Sequence, residues 1–592
     1  MNKSSKTAKH NPYCGLLVRY LRPQRGPVLL LSLLVIAGIT LQLVNPQLVR
    51  RFLDGVESGQ DLSELVKTAL LFTVIALLAQ VLKVVATYVG ETIAWTATNQ
   101  LRADLALHCL KLDMTFHKAH KPGELIERVD GDVNQLATFF SELLIQLVSN
   151  FLLIIGVLVL LWLVDWRVGA TITLLVLLGI VALSVLNSHL VPRWQRVRQI
   201  DSEFFGYLEE WLNGTEVIQT NGAAPFIMGR LYCIFRRRWR SMQSAMRFNL
   251  AVMSLPIIVP TLAYIAAYIW GTTLYQSSIL TIGTVFLIFY YIDVIKNPLW
   301  VIQRQVQDMQ KATASINRIT QLFAEQLTIV DGPNNQLPAG ALALRFEDVS
   351  FFYADDPETH VLRDIVFTLE AGQVLGLLGR TGSGKTTMTR LLFRFYDPSS
   401  GVIRLGDGGG RFIDVRDTTQ AQLRQRIGLV TQEVQLFHAT VRDNLTLFDD
   451  SIGDEQIKVA LQELGLLPWL DSLPEGLDTR LEADDSLSAG EAQLLALGRV
   501  FLADPGLVIL DEASSRLDPA TEALLDLAVQ KLIHGRTAVI IAHRLSTVQR
   551  ANEILILSNG RMLEYGARTD LVGDPQSQFY GLLRTGLEEA LA

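Results

Sequence analysis

Between Gly379 and Thr386 the chain reads Gly-Arg-Thr-Gly-Ser-Gly-Lys-Thr. Glycines at 379, 382 and 384 let successive backbone N–H groups turn inward around an anion. A helix opening at the end of such a loop points its positive end at the same place. Lys385 can reach terminal phosphates, and the Thr386 hydroxyl can hold a divalent metal. Gly379, Arg380, Thr381, Gly382, Ser383, Gly384, Lys385, Thr386 and Thr387 are therefore the expected phosphate-binding P-loop.

Phosphoryl transfer needs a second acidic group for the metal and something to orient a water. Leu507-Val-Ile-Leu-Asp511-Glu512 supplies both types. Four apolar residues predict a buried strand, Asp511 emerges at its end to meet Mg²⁺, and Glu512 is placed to polarise the attacking water.

Further along the same half, Leu487-Ser488-Ala489-Gly490-Glu491 resembles the signature of the ABC transporter superfamily. Gln432 in Val-Thr-Gln-Glu matches its Q-loop, His543 in Ile-Ala-His-Arg its switch histidine, Ser515-Arg-Leu-Asp518 its D-loop, and Tyr353 in Val-Ser-Phe-Phe-Tyr its aromatic A-loop. The resemblance, to six-helix exporter half-transporters, covers nearly the whole chain. It implies that Tyr353 stacks on the adenine of ATP, that Gln432 senses Mg²⁺ and the water, and that His543 contacts the γ-phosphate. It also implies that Ser488 and Gly490 bind the γ-phosphate of ATP held by an opposite ATPase domain. One chain carries one such domain, so a second half-transporter is expected as partner.

These residues need a framework. Short β-like runs at 343–346, 349–353 and 374–379 lead into the P-loop, as an α/β ATPase domain requires. Upstream, the composition changes. The 592-residue chain is 49% hydrophobic and 19% charged, with a mean hydropathy of +0.29. That suits a membrane half joined to a soluble half. Six apolar stretches are long enough to cross about 30 Å of hydrocarbon: 27–49, 66–89, 143–164, 168–190, 250–274 and 282–300. The expected organisation is an α-helical transmembrane domain at 1–325, a linker at 326–340, and an α/β ATP-binding domain at 341–592. The basic N-terminus leads into an apolar run too long for a signal peptide, and the run reads as a retained first span.

Lys and Arg distribution orients the spans. The N-terminal segment and the connections 93–140 and 191–249 are basic, whereas 49–65 is largely acidic, 165–167 is a three-residue turn and 275–281 carries no charge. Both termini and the two long connections are expected in the cytosol, with the ATPase domain, at the inner (cytoplasmic) membrane. The long connections read as helices reversing at short tips, at Lys121-Pro-Gly and Asn213-Gly. Phe116–His117 with 123–132, and the segment 213–220, resemble the two coupling tips of ABC exporters, which dock on ATPase domains.

Other features weigh less. The net charge of −7 and pI near 5.8 give no basic face for nucleic acid. Cys14, Cys109 and Cys233 match neither a disulfide framework nor a zinc pattern. Gly406–Gly410 reads as a hairpin turn, and His117 with His120 as part of a solvated tip. Lys83, Glu91, Asp293 and Lys296 fall in spans, where ionisable groups are costly; pairing of Asp293 with Lys296 and lining of a substrate path both fit. The segment 480–486 lacks the Gly-Glu-x-Gly pattern common before the signature. The whole reads as ATP-driven export of a lipid, amphipathic drug or peptide by a dimer. The alternatives are an obligate subunit of a heterodimer, or an ATP-gated channel or importer on the same fold.

Overall fold

The computed structural model describes residues 12–140, 144–333, 336–482, 487–511, 519–542 and 548–585. Two compact units form: Met1–Leu110 with Pro122–Glu325, and Lys111–Lys121 with Gln326–Ala592.

The first unit is helical. α1 (Pro12–Leu21), α2 (Arg25–Glu57) and α3 (Leu62–Lys111) are followed by the short helices α4 (Met114–Ala119), α5 (Pro122–Ile126) and α6 (Asp132–Thr138), with α4 belonging to the second unit. Then come α7 (Leu144–Val164), α8 (Trp166–Asn213), α9 (Thr215–Thr220), α10 (Ala224–Gln276) and α11 (Ile282–Ala324). Among the described residues, six helices are long and apolar enough to cross a membrane: 18–57, 62–111, 146–164, 166–213, 224–276 and 282–301. At 1.5 Å per residue, the 50 residues of α3 extend about 75 Å, so the helix outruns the hydrocarbon. Leu77, Val81, Leu163 and Leu174 remain exposed on the outer faces, where lipid tails are the matching solvent.

Small residues let the helices approach. A Cβ at Gly179 of α8 would lie 2.8 Å from Val259 of α10, and one at Gly156 of α7 would lie 2.6 Å from Leu43 of α2. Such contacts drive helix association in lipid, where hydrophobic burial contributes little. At the tip, Asp132 is 2% exposed. Its carboxylate accepts hydrogen bonds from Ser315 Oγ (2.9 Å) and Arg318 Nε (2.8 Å), which ties α6 to α11.

The second unit is built on two sheets. β1 (Ala343–Phe351), β2 (Leu362–Leu369), β4 (Ser400–Gly406) and β5 (Phe412–Asp414) form one in the order β2-β1-β4-β5, antiparallel throughout. β3 (Val374–Gly379), β6 (Ile427–Val430), β7 (Leu507–Asp511), β8 (Thr537–Ile541), β9 (Glu553–Ser558) and β10 (Arg561–Ala567) form the other, in the order β10-β9-β3-β8-β7-β6. All its pairs are parallel except β9 with β10. Parallel strands buried on both faces need continuous apolar runs, and β3 and β8 are buried along their whole length. Helices α12 (Lys385–Leu392), α13 (Gln420–Arg426), α14 (Val441–Thr446), α15 (Asp454–Leu464), α16 (Leu467–Ser472), α17 (Ala489–Leu502) and α18 (Pro519–Ile533) surround the sheets, followed by the short helices α19 (Arg568–Gly573) and α20 (Gln578–Thr585). One core joins α14 to α18 with one face of the parallel sheet; a second lies between the two sheets.

Two expected strand runs, 343–346 and 349–353, prove to be one strand ending at Phe351. The register slips between Phe346 and Val349. Asp348 there has φ +49°, and the bulge separates the two apolar groups that the sequence shows as two runs. The glycine-rich stretch after β4 turns the chain into antiparallel β5, as a hairpin turn should.

Candidate functional site

In an open parallel sheet, ligands collect beyond the carboxyl ends of the strands. The neighbours β3, β8, β7 and β6 run parallel, so whatever follows each strand meets at one edge. Gly379 ends β3 and opens the P-loop, Asp511 ends β7, and Gln432 follows β6 by two residues. Sheet order thus unites three stretches far apart in sequence. Glu512, His543 and the Ser515–Asp518 D-loop lie outside the described residues.

The loop depends on its glycines. Gly379, Gly382 and Gly384 have φ of +152°, +81° and +110°, a region that side chains avoid. A Cβ on Gly379 would lie 2.5 Å from the Leu557 carbonyl oxygen, and one on Gly384 2.6 Å from Leu362. Arg380 and Thr381 are exposed at the turn, and Arg380 O accepts from Ser383 N at 3.0 Å. Gly384 is the N-cap of α12 without a side chain to satisfy the first N–H groups. That leaves them for a phosphate.

Lys385 is 7% exposed. Its ammonium donates to the carbonyls of Gly379 and of Arg380, the latter at 3.1 Å. Burial pulls its pKa below the ordinary lysine value, and the charge of Asp511 partly opposes the shift. Ser383 Oγ is buried without a hydrogen-bond partner among the described residues, an expensive condition. An under-satisfied buried cation, an orphaned hydroxyl and uncapped N–H groups around a glycine cradle fit a polyphosphate. Thr386, exposed in the first turn of α12, Asp511 and Gln432 are the hard oxygen donors that Mg²⁺ prefers.

Tyr353 follows β1. Its hydroxyl meets Thr387 Oγ1 at 3.1 Å and accepts from Arg390 Nη1 at 3.1 Å, which links the aromatic ring to the P-loop helix. Tyr396 stands edge-on at 5.2 Å between centroids. Lys118 of α4 places its ammonium 4.5 Å from the ring centre and pairs with Asp355 at 2.8 Å. Sequence reasoning singled out neither Lys118 nor Arg390. Arg390 lies one turn beyond Thr386, a spacing that could have drawn attention to it, whereas nothing in the sequence links Lys118 to Tyr353.

Ser488 is the N-cap of α17. Its hydroxyl accepts from Glu491 N (3.3 Å), and the Glu491 carboxylate accepts from Ser488 N (2.8 Å) in a capping box. Gly490 is buried in the first turn, while Ser488 is exposed. Of the atypical segment 480–486, residues 483–486 lie outside the described residues. In the first unit, Asp293 accepts a hydrogen bond from the Tyr264 hydroxyl at 3.3 Å, and no ion pair joins it to Lys296 among the described residues.

Residues 28–299 match the family model of the ABC transporter transmembrane region, and residues 362–515 that of the ABC transporter. The chain is 31% identical over 566 residues to the uncharacterized ABC transporter ATP-binding protein YknV of Bacillus subtilis, covering 94% of this chain and 92% of that protein. It is 30% identical over 512 residues to the probable multidrug resistance ABC transporter ATP-binding/permease protein YheH of the same organism, covering 83% and 73%. A bacterial Atm1-family ABC exporter solved with ATP bound has the same fold, with a TM-score of 0.75 at 24% identity over 96% of this chain and 98% of that one. The chain belongs to the ABC transporters, with a membrane region and an ATP-binding region fused in one polypeptide.

Proposed function

We propose that the chain is one half of a dimeric exporter that hydrolyses ATP to move a lipid, an amphipathic drug or a peptide across the cytoplasmic membrane. The observation that carries this reading is the glycine-dependent phosphate cradle of Gly379–Thr387 in a chain with six membrane-spanning helices. The alternation of basic and basic-poor connections supports a cytosolic ATPase domain and cytosolic termini. The name of the YheH relative supports a drug-like cargo, and the exporter fold supports outward transport.

In this reading, backbone N–H groups of the P-loop and the Lys385 ammonium hold the β- and γ-phosphates, and Tyr353 holds the adenine. Ser488 and the N-terminal N–H groups of α17 close on the γ-phosphate of ATP bound to the second copy. Thr386, Gln432 and Asp511 hold Mg²⁺, which supplies charge neutralisation at the phosphates. Glu512 orients the attacking water and His543 contacts the γ-phosphate. Such positioning and charge stabilisation make up most of catalysis in phosphoryl transfer. The atypical segment 480–486 favours a second reading, a heterodimer subunit.

The test is Mg-dependent ATPase activity of the purified chain in nanodiscs, beside Glu512→Gln. Robust activity lost in the variant supports a self-sufficient homodimer. A folded, ATP-binding wild type with no activity refutes the homodimer and points to a missing partner chain. Direction is read by adding ATP outside proteoliposomes whose ATPase domains face outward: export appears as uptake into the lumen.

A further inference from the structure

The membrane unit has an open cavity of about 660 Å³ between α2, α3, α7 and α11. Its lining runs against the character of the helices that form it. On α3, Gln80 and Lys83 face the cavity, while Leu77, Val81 and Val84 lie on the exposed sides. On α2, Gln42 and Asn45 line it; on α7, Gln146 and Asn150; on α11, Asp293 and Asn297. Spacings of three and four residues put each pair on one helix face. A lysine or an aspartate within a span is costly to insert unless it finds a partner or a wet cavity. Four helices that aim their polar residues into one space show a shared destination for them.

Three groups in this cavity are placed to meet a ligand's polar atoms, one of them buried and two, Lys83 and Asp293, exposed on its open side. Asn45 Oδ1 is buried with no hydrogen-bond partner among the described residues. Among the described residues, no ion pair or hydrogen bond engages the Lys83 ammonium. Among the described residues, Asp293 accepts one hydrogen bond, a long one from Tyr264 at 3.3 Å. A wholly apolar ligand would satisfy none of the three, and a buried polar group without a partner costs binding energy.

We propose that this cavity binds a small zwitterion, with its carboxylate or phosphate at Lys83, its ammonium at Asp293, and its neutral polar groups at the carboxamides. This narrows the cargo and so rests on the exporter reading. Two sources carry that chemistry: a short free peptide and the headgroup of a zwitterionic phospholipid.

The test uses the full chain in nanodiscs of anionic phosphatidylglycerol, with two probes: trialanine in solution, and phosphatidylethanolamine mixed into the bilayer. Binding of radiolabelled trialanine and stimulation of Mg-ATPase by each probe are measured separately, so a failure of ATP hydrolysis, which counts against the exporter reading, is distinguishable from a failure of the cavity to bind. We expect binding, or severalfold stimulation, by at least one probe. Lys83→Met and Asp293→Asn each lose it at least tenfold, while Lys83→Arg and the distant Lys67→Met keep it. N-acetyl-trialanine, which lacks the ammonium, binds wild type weakly and is indifferent to Asp293→Asn. A response to trialanine assigns a free peptide, and a response to phosphatidylethanolamine alone assigns a lipid headgroup. The proposal is overturned if neither probe acts, or if their effects survive both Lys83→Met and Asp293→Asn. Stimulation confined to the apolar cation tetraphenylphosphonium overturns it too.

Discussion

The Lys118 ammonium stands 4.5 Å from the centre of the Tyr353 ring and is held there by Asp355 at 2.8 Å. A tip residue thus covers a face of the aromatic side chain assigned to adenine. A cation over an exposed ring contributes about 0.5–1 kcal/mol, which a stacking base on that face must displace. Lys118→Met should therefore lower the half-saturating ATP concentration by about twofold to fivefold, read by fluorescent-nucleotide titration. An unchanged value would mean that adenine uses the other face. The hydrogen bond from Lys118 holds the Asp355 carboxyl below its ordinary pKa. The pair is therefore fully formed above the ordinary carboxylate value and is lost only as pH falls through the lowered one, so the effect of Lys118→Met should be constant around neutral pH.

Lys385 is a buried cation whose partners are backbone carbonyls. Lys385→Met should abolish the thermal shift caused by ATP and cut hydrolysis by about two to three orders of magnitude. It should also raise the melting temperature of the nucleotide-free protein, because a desolvated charge is removed. Burial lowers the folded-state pKa, so the advantage of the variant is fully present below that lowered pKa and vanishes above the ordinary lysine value. Melting curves across alkaline pH would show the gap closing; a nucleotide-free variant less stable than wild type at neutral pH would contradict this account.

Ser488 both caps α17 and is proposed to meet phosphate. Loss of an N-cap hydroxyl costs about 1 kcal/mol. Ser488→Ala should lower the melting temperature by a few degrees, on the order of 2–4 °C, and Ser488→Thr should restore it. Hydrolysis should fall far more in the alanine variant than this loss of stability explains. Parallel declines in the two readouts would make Ser488 a cap only.

Asp132 ties α6 to α11 through Ser315 and Arg318. Asp132→Ala leaves a guanidinium and a hydroxyl without their acceptor, a loss of about 2 kcal/mol. The measurable result is earlier thermal unfolding of the membrane unit, with ATP affinity unchanged. Asp132→Glu should recover part of it, and a variant as stable as wild type would show that the pair contributes nothing net.

Local information determined much of this protein. Span length and hydropathy located the six membrane helices, because hydrocarbon thickness sets the number of apolar residues needed. The P-loop was legible because its backbone requires glycine at Gly379, Gly382 and Gly384. The strand ending at Asp511 was legible because parallel strands need unbroken apolar runs. The order of strands that sets Asp511 and Gln432 at the same sheet edge as that loop was decided only in the folded chain, since hydrogen-bonded neighbours in a sheet leave no local mark. The same holds for Asp132 with Arg318, 186 residues away, and for Lys118 over Tyr353. The sequence left open whether Asp293 pairs with Lys296 or lines a path. Tertiary packing placed Asp293 on the cavity with Lys83, because the rotation of α11 against α2, α3 and α7 sets which face is enclosed, and no periodicity within α11 contains that information.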